Sequence, residues 1–181
     1  MKKPVRSIVL LAVLAAACDG STLPAVTGSE GALRVDLAGA RSASFGARGD
    51  GTGIQRSEYA VGGRSNGWIG VQAAHPNADG SQTRIAFTFP ERTAPYTITF
   101  DWTKCAADLD CPGGIAYLDA PPGNPDGGNV FSFSKGEIRV TRISNGRVRG
   151  TFSGSGAAMN ASTGALRYLN GSFDVPVVDR S

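Results

Sequence analysis

One histidine, three cysteines and fifteen acidic residues make up the chain's stock of groups for acid–base, nucleophilic or metal chemistry. A Ser-His-Asp triad would have to use His75, and no Gly-x-Ser-x-Gly elbow accompanies it. Beside Pro76 at the end of an apolar-alternating stretch, His75 reads as a surface residue next to a turn. Asp101, Asp108 and Asp110 lie near Cys105 and Cys111, while Asp119 and Asp126 flank a Pro/Gly-rich loop over 119–128. Calcium takes about six to eight oxygens from such loops. No Asp-x-Asp-x-Asp-Gly frame is complete, so these acids read as solvated. A pair of them would suit a glycosidase, but a chain with this many acids always contains pairs. Gly154-Ser155-Gly156 lacks the third glycine of a dinucleotide fingerprint and sits between two strands, where that motif needs a strand followed by a helix. The expectation is therefore no catalytic residue, no metal and no cofactor.

Binding chemistry is better represented. Arg139, Arg147 and Arg149 fall on outward positions of neighbouring strands and form a strip that suits an anion or a polysaccharide; the plainer reading is an exposed, charged sheet face that deters edge pairing. Trp68 is opposite in phase to Ile69 and Val71 and is the candidate exposed aromatic, whereas Trp102 shares the phase of Tyr96, Ile98 and Phe100 and is assigned to the core. Asn160-Ala161-Ser162 and Asn170-Gly171-Ser172 match glycosylation sequons but read as turns, as does Arg48-Gly49-Asp50.

At the amino terminus, Met1 to Arg6 is short and basic, Ile8–Ala17 is an uninterrupted ten-residue run of apolar and small residues, and Leu14-Ala15-Ala16-Ala17-Cys18 closes it. The run is about half the ~20 residues that a spanning helix needs. Its layout is that of a secretory leader, and residues 14–18 resemble a bacterial lipoprotein signal with a relaxed lipobox, in which Ala15 holds the place usually taken by leucine. The resemblance implies that Cys18 receives the lipid and becomes the new amino terminus. Residues 1–17 are then the signal peptide, 18–31 the lipidated Cys with a flexible tether, and 32–181 the domain. Two or more acyl chains matter because one gives only marginal binding. The tether, Asp19 to Gly31, has a coil span of roughly 20 Å.

With Cys18 acylated, Cys105, Cys111 and His75 are the soft ligands left, too few for zinc. Export to an oxidising compartment pairs the two remaining cysteines as a Cys105–Cys111 disulfide. The leader also holds Lys2, Lys3 and Arg6, so fifteen of the eighteen bases remain against fifteen acids. That neutral balance gives no argument for nucleic acid.

These surfaces must be carried by strands. Leu33, Val35 and Leu37 alternate with polar residues, as do Ile69, Val71 and Ala73; Ile85, Phe87 and Phe89; and Tyr96, Ile98 and Phe100. No window keeps an apolar period of 3.6. About ten short strands are expected, with Leu166–Tyr168 and Phe173–Val177 as separate ones, forming an all-β single antiparallel β-sandwich or, alternatively, a closed β-barrel. Around Asn145-Gly146 a three-residue loop, Ser144-Asn145-Gly146, would pair Ile143 with Arg147, Arg142 with Val148, Val140 with Gly150 and Ile138 with Phe152. It places the apolar residues on one face and the arginines in solvent. The segment Gly136 to Val177, through Gly-Glu-Ile-Arg-Val-Thr, Val-Arg-Gly-Thr-Phe-Ser-Gly and Asn-Gly-Ser-Phe-Asp-Val, resembles the carboxy-terminal part of small bacterial envelope lipoproteins of no assigned activity. The resemblance implies a β-rich fold and transfers no site residue.

The expected function is a lipid-anchored protein of the bacterial cell envelope, periplasmic or surface-exposed, acting as a non-catalytic binding or structural module. Its partners would be membrane lipid through Cys18, with a polysaccharide or an envelope protein as ligand. Alternatives are a carbohydrate-binding module in a glycan-handling system and a small hydrolase using loop carboxylates.

Overall fold

Alternation of inward and outward residues builds eleven strands among the described residues. They are β1 (Gly31–Gly39), β2 (Ala43–Gly49), β3 (Tyr59–Ser65), β4 (Trp68–Pro76), β5 (Gln82–Pro90), β6 (Tyr96–Asp101), β7 (Gly114–Ala120), β8 (Asn129–Ser132), β9 (Lys135–Ser144), β10 (Arg147–Ser155) and β11 (Leu166–Asp179). The computed structural model describes residues 31–39, 43–49, 58–105, 111–124, 127–155 and 166–179. Cys18, most of the tether, Asp50, Asp108, Asp110, Asp126 and Asn160 lie outside the described residues. In β5 the pattern is plain: Ile85, Phe87 and Phe89 are buried, while Arg84, Ala86 and Thr88 keep some exposure.

The protein is all-β, but its strands do not form two separate layers. Nine of them follow one hydrogen-bonded path, β6-β9-β10-β11-β3-β4-β5-β7-β8, and β1 with β2 branches off at β11. The path curls into half a barrel, with no ladder among the described residues between its ends at β6 and β8, so the barrel expectation is met only in its curvature. At one corner the segment Phe133-Ser134, which leads from β8 into β9, bridges the ends: Trp102 N–H donates to the Ser134 carbonyl at 2.7 Å, extending the β6–β9 pair, and Phe133 N–H to that of Ile115 at 3.0 Å, extending the β7–β8 pair.

The reason for one path is β11. Leu166–Tyr168 and Phe173–Val177 are parts of a single 14-residue strand. Asn170-Gly171, expected as a turn, lies in its middle. The glycine is required for space rather than for a bend: a Cβ there would run into the Phe152 ring and the Arg34 carbonyl. The long strand serves two neighbours on one edge. It takes β1 antiparallel as far as Ala32↔Asp174 and then β3 in parallel over Val177↔Gly62 to Asp179↔Arg64. The changeover is tight, because a Cβ on Gly31 would occupy the place of the Ala60 carbonyl.

Inside the curl, Phe87 of β5 meets Phe152 of β10 with ring centroids 4.7 Å apart and Phe173 of β11 at 5.0 Å. Burying side chains of this size contributes roughly 1.5–3 kcal/mol each. This aromatic centre joins strands far apart along the hydrogen-bonded path.

The β9–β10 hairpin corrects the expected loop. Its loop is the two residues Asn145-Gly146, with φ of 52° and 68°, as in the turn whose twist suits a hairpin. Ser144 pairs with Arg147, Ile143 with Val148 and Arg142 with Arg149. The register then shifts by one, leaving Thr141 as an extra residue, and Val140↔Gly150 and Ile138↔Phe152 follow as anticipated. The cause is spacing: Ile143 and Val140 both face inward but are three residues apart, so a bulge is needed to keep both on the apolar face. The Thr141 hydroxyl donates to the Arg149 carbonyl at 3.1 Å across the irregularity.

Candidate functional site

Trp102, assigned to the core from its phase, is 51% exposed. The strand ends one residue earlier, at Asp101, and a tight turn follows. Lys104 and Cys105 N–H both donate to the Asp101 carbonyl, while the Asp101 carboxylate accepts from the Thr103 N–H at 3.1 Å and from its hydroxyl. This rotates Trp102 out of the sheet's alternation. An Asp-x-Thr sequence is a recognised turn-former, and it is the signal that strand periodicity overrode.

The rotated indole comes to rest over β7. A Cβ placed on Gly114 would lie 3.3 Å from Cζ2 of Trp102 and 3.6 Å from its Nε1. Ala86, Thr88, Gly114, Ala116, Ser132 and Ser134 line the groove beside it, which has a volume of about 560 Å³. That lies within the range of small-ligand sites, and its lining is mostly apolar with a few hydroxyls. The disulfide holds wall to floor. Cys105 follows the turn that carries Trp102, Cys111 leads into Gly114, and the two Cα atoms are 5.7 Å apart, as the expected pairing requires.

Asp101 also faces Lys135 at 3.4 Å and Lys104 at 3.6 Å. The Thr103 hydroxyl first, then its amide and Lys135, hold the Asp101 carboxyl below the usual carboxylate range. A depressed folded-state pKa contributes stability that is fully present above the ordinary value, about 3.9, and is lost as pH falls through the lowered one.

A second concavity, of about 210 Å³, sits at the β9–β10 turn and is lined by Arg142, Ser144, Asn145, Arg147, Arg149 and Asp174. Arg147 grips Asp174 through Nε at 2.9 Å and its terminal amine at 2.8 Å, and also reaches the Asp174 carbonyl at 3.1 Å. Arg149 approaches the same carboxylate only to 3.9 Å, and Arg142 Nε donates to the Ser144 hydroxyl at 2.7 Å. Arg147 is therefore half-buried and ion-paired rather than in solvent. Arg142, absent from the expected strip, joins it because the two-residue turn brings it opposite Arg149. Arg139 is exposed on β9 but faces Thr97 and Thr151, so it stands apart from the pocket.

The remaining candidates are dispersed. Trp68 is 41% exposed, on β4, separated from β10 by β11 and β3. His75 is half-buried at the end of β4, with Nδ1 3.8 Å from the Glu58 carboxylate. Asp119 accepts from the Tyr117 hydroxyl. Among the described residues no three His, Cys, Asp or Glu side chains are grouped as metal ligands. Compared with known proteins, the chain matches no family model, no curated protein and no solved structure.

Proposed function

We propose that the chain is a lipid-anchored, non-catalytic binding module of the bacterial cell envelope, held by Cys18, which recognises a glycan through the Trp102 groove. One observation carries this reading: a half-exposed indole stands over a glycine at the mouth of a groove of about 560 Å³, beside the hydroxyl-bearing Thr88, Ser132 and Ser134. A sugar ring offers an apolar face to stack on the indole and hydroxyls at its edge for the polar rim, and a platform already rigid avoids the cost of ordering on binding. The Cys105–Cys111 bond keeps the platform in place and fits an oxidising compartment. The curled sheet wraps about one core, the inner face of β5 meeting those of β10 and β11.

The test is a titration with cell-wall and capsule oligosaccharides in a Trp68→Phe background, which leaves Trp102 as the sole indole fluorophore. Binding should quench or shift its emission. Trp102→Ala, and Gly114→Leu, which fills the space under the ring, should each weaken binding about tenfold. Glycan binding that survives both changes, or no binding to any polymer, would remove the assignment. The anchor is tested separately: Cys18→Ser should release the protein from the membrane fraction, and a wild-type protein without acyl mass would contradict it.

A further inference from the structure

We propose that the arginine pocket at the β9–β10 turn is a membrane-facing site that takes the phosphate of an anionic lipid headgroup. This rests on the reading that Cys18 anchors the chain. Arg142 and Arg149 stand directly opposite each other, and like charges in that position destabilise a sheet. The two-residue Asn145-Gly146 turn, which sets Ser144 against Arg147 and Ile143 against Val148, forces this pairing. Among the described residues only Asp174 offsets it, and Arg147 already holds its Oδ1, leaving Oδ2 at 3.9 Å from Arg149. Among the described residues, Arg149 makes no hydrogen bond through its guanidinium, and Arg142 commits only Nε, to Ser144. Two planar forks over a pocket of about 210 Å³ match the geometry of a phosphate, which guanidinium groups bind bidentately.

The occupant is indicated by where the anchored end of the chain enters the domain. Gly31, the first residue of β1, packs beside Pro176, whose Cδ would be 3.0 Å from a Cβ on that glycine. The next residue, Ala32, pairs with Asp174, and Pro176 pairs with Arg147. The strand that emerges from the tether thus lies one strand away from the arginines. A tether of roughly 20 Å holds this side of the domain close to the lipid surface. On the same outward face, Val178 is 50% exposed one pleat beyond Pro176, and Trp68 is exposed two strands across from it. Arginine with tryptophan and an aliphatic residue is the composition of a surface that rests at headgroup depth.

The experiment uses the mature chain, residues 18–181 with Cys18→Ser so that no acyl chain contributes, in co-sedimentation with vesicles of phosphatidylglycerol and phosphatidylcholine or of phosphatidylcholine alone. The protein should bind the anionic vesicles only, and should leave them as salt rises from about 0.05 to about 0.5 M. Arg142→Gln with Arg149→Gln should lower binding about 10- to 30-fold. Thermal unfolding of that double variant within a few degrees of its parent shows that the loss is not one of folding. Equal binding to neutral vesicles, no vesicle binding, indifference to the double substitution, or calorimetric binding of inorganic phosphate without vesicle binding would each overturn the proposal. Acyl mass on the wild-type protein reports on the anchor independently. A protein with acyl mass whose Cys18→Ser form ignores anionic vesicles refutes the pocket alone.

Discussion

Two Asn-Gly turns close two hairpins of this sheet, and the hairpins behind them differ. Asn66-Gly67 and Asn145-Gly146 have closely similar conformations, with φ of 50° and 76° in the first and 52° and 68° in the second. From Ser65↔Trp68 to Tyr59↔Ala74 the β3–β4 ladder runs without a shift, whereas the β9–β10 ladder bulges at Thr141. In the first hairpin the inward residues Ile69, Val71 and Ala73 are evenly spaced, so one register satisfies turn and core together. In the second, Ile138, Val140 and Ile143 are not evenly spaced, and turn and core demand different registers. The bulge reconciles them beyond Arg149, while the two-residue turn itself sets Arg142 opposite Arg149 and so lines the more polar of the two concavities with three arginines and Asp174.

Six variants, in four comparisons, test that account, the largest effect first. Deleting Gln72 from the regular hairpin removes a residue from a ladder that has none to spare. It exchanges the faces of one half of β4, and the protein should show no cooperative thermal transition by circular dichroism. Next, Gly67→Val and Gly146→Val put a β-branched residue at positive φ, and each should cost about 1–3 kcal/mol in urea titrations. Neither glycine has an atom within 4 Å of a built Cβ, so the strain is in the backbone, and Asn at either position should recover most of it. A loss with Asn as large as with Val would point to packing instead.

A smaller effect separates the hairpins electrostatically. Asp174→Asn breaks the paired contact to a half-buried Arg147 and should cost about 1–3 kcal/mol. Asp179→Asn, which breaks the bond from Arg64 to a carboxylate 80% exposed, should cost about 0–1 kcal/mol. The smallest effect is expected for deletion of Thr141. It removes the extra residue while keeping Ile143↔Val148 and Val140↔Gly150, so stability should stay within about 1 kcal/mol of the parent. Unfolding of that variant would show that the bulge is required for the fold itself and does more than absorb a mismatch.

Periodicity alone located the strands, because side chains in an extended chain alternate regardless of what lies beside them. Ile69, Val71, Phe87, Ile138 and Phe152 were identifiable as inward from their own neighbours, and the structure buries them. The pairing of Cys105 with Cys111 was accessible too, since those two cysteines remain once Cys18 is set aside. Trp102 was misassigned by the same reasoning: alternation holds only while the strand lasts, and the Asp101–Thr103 turn ends it. Neither candidate site was legible in full. Gly114 beneath the indole and Asp174 among the arginines are far along the chain from the residues they contact, and Gly171 looks like a turn until the Phe152 ring is placed against it. Such contacts depend on which strand edges meet. Local sequence specifies the faces of a strand but not its neighbours, because hydrogen-bonding groups along a strand edge are the same for every residue type except proline. Burial of the shared aromatic core selected the partners, and with them the groove, the arginine pocket and the long strand that joins the two parts of the sheet.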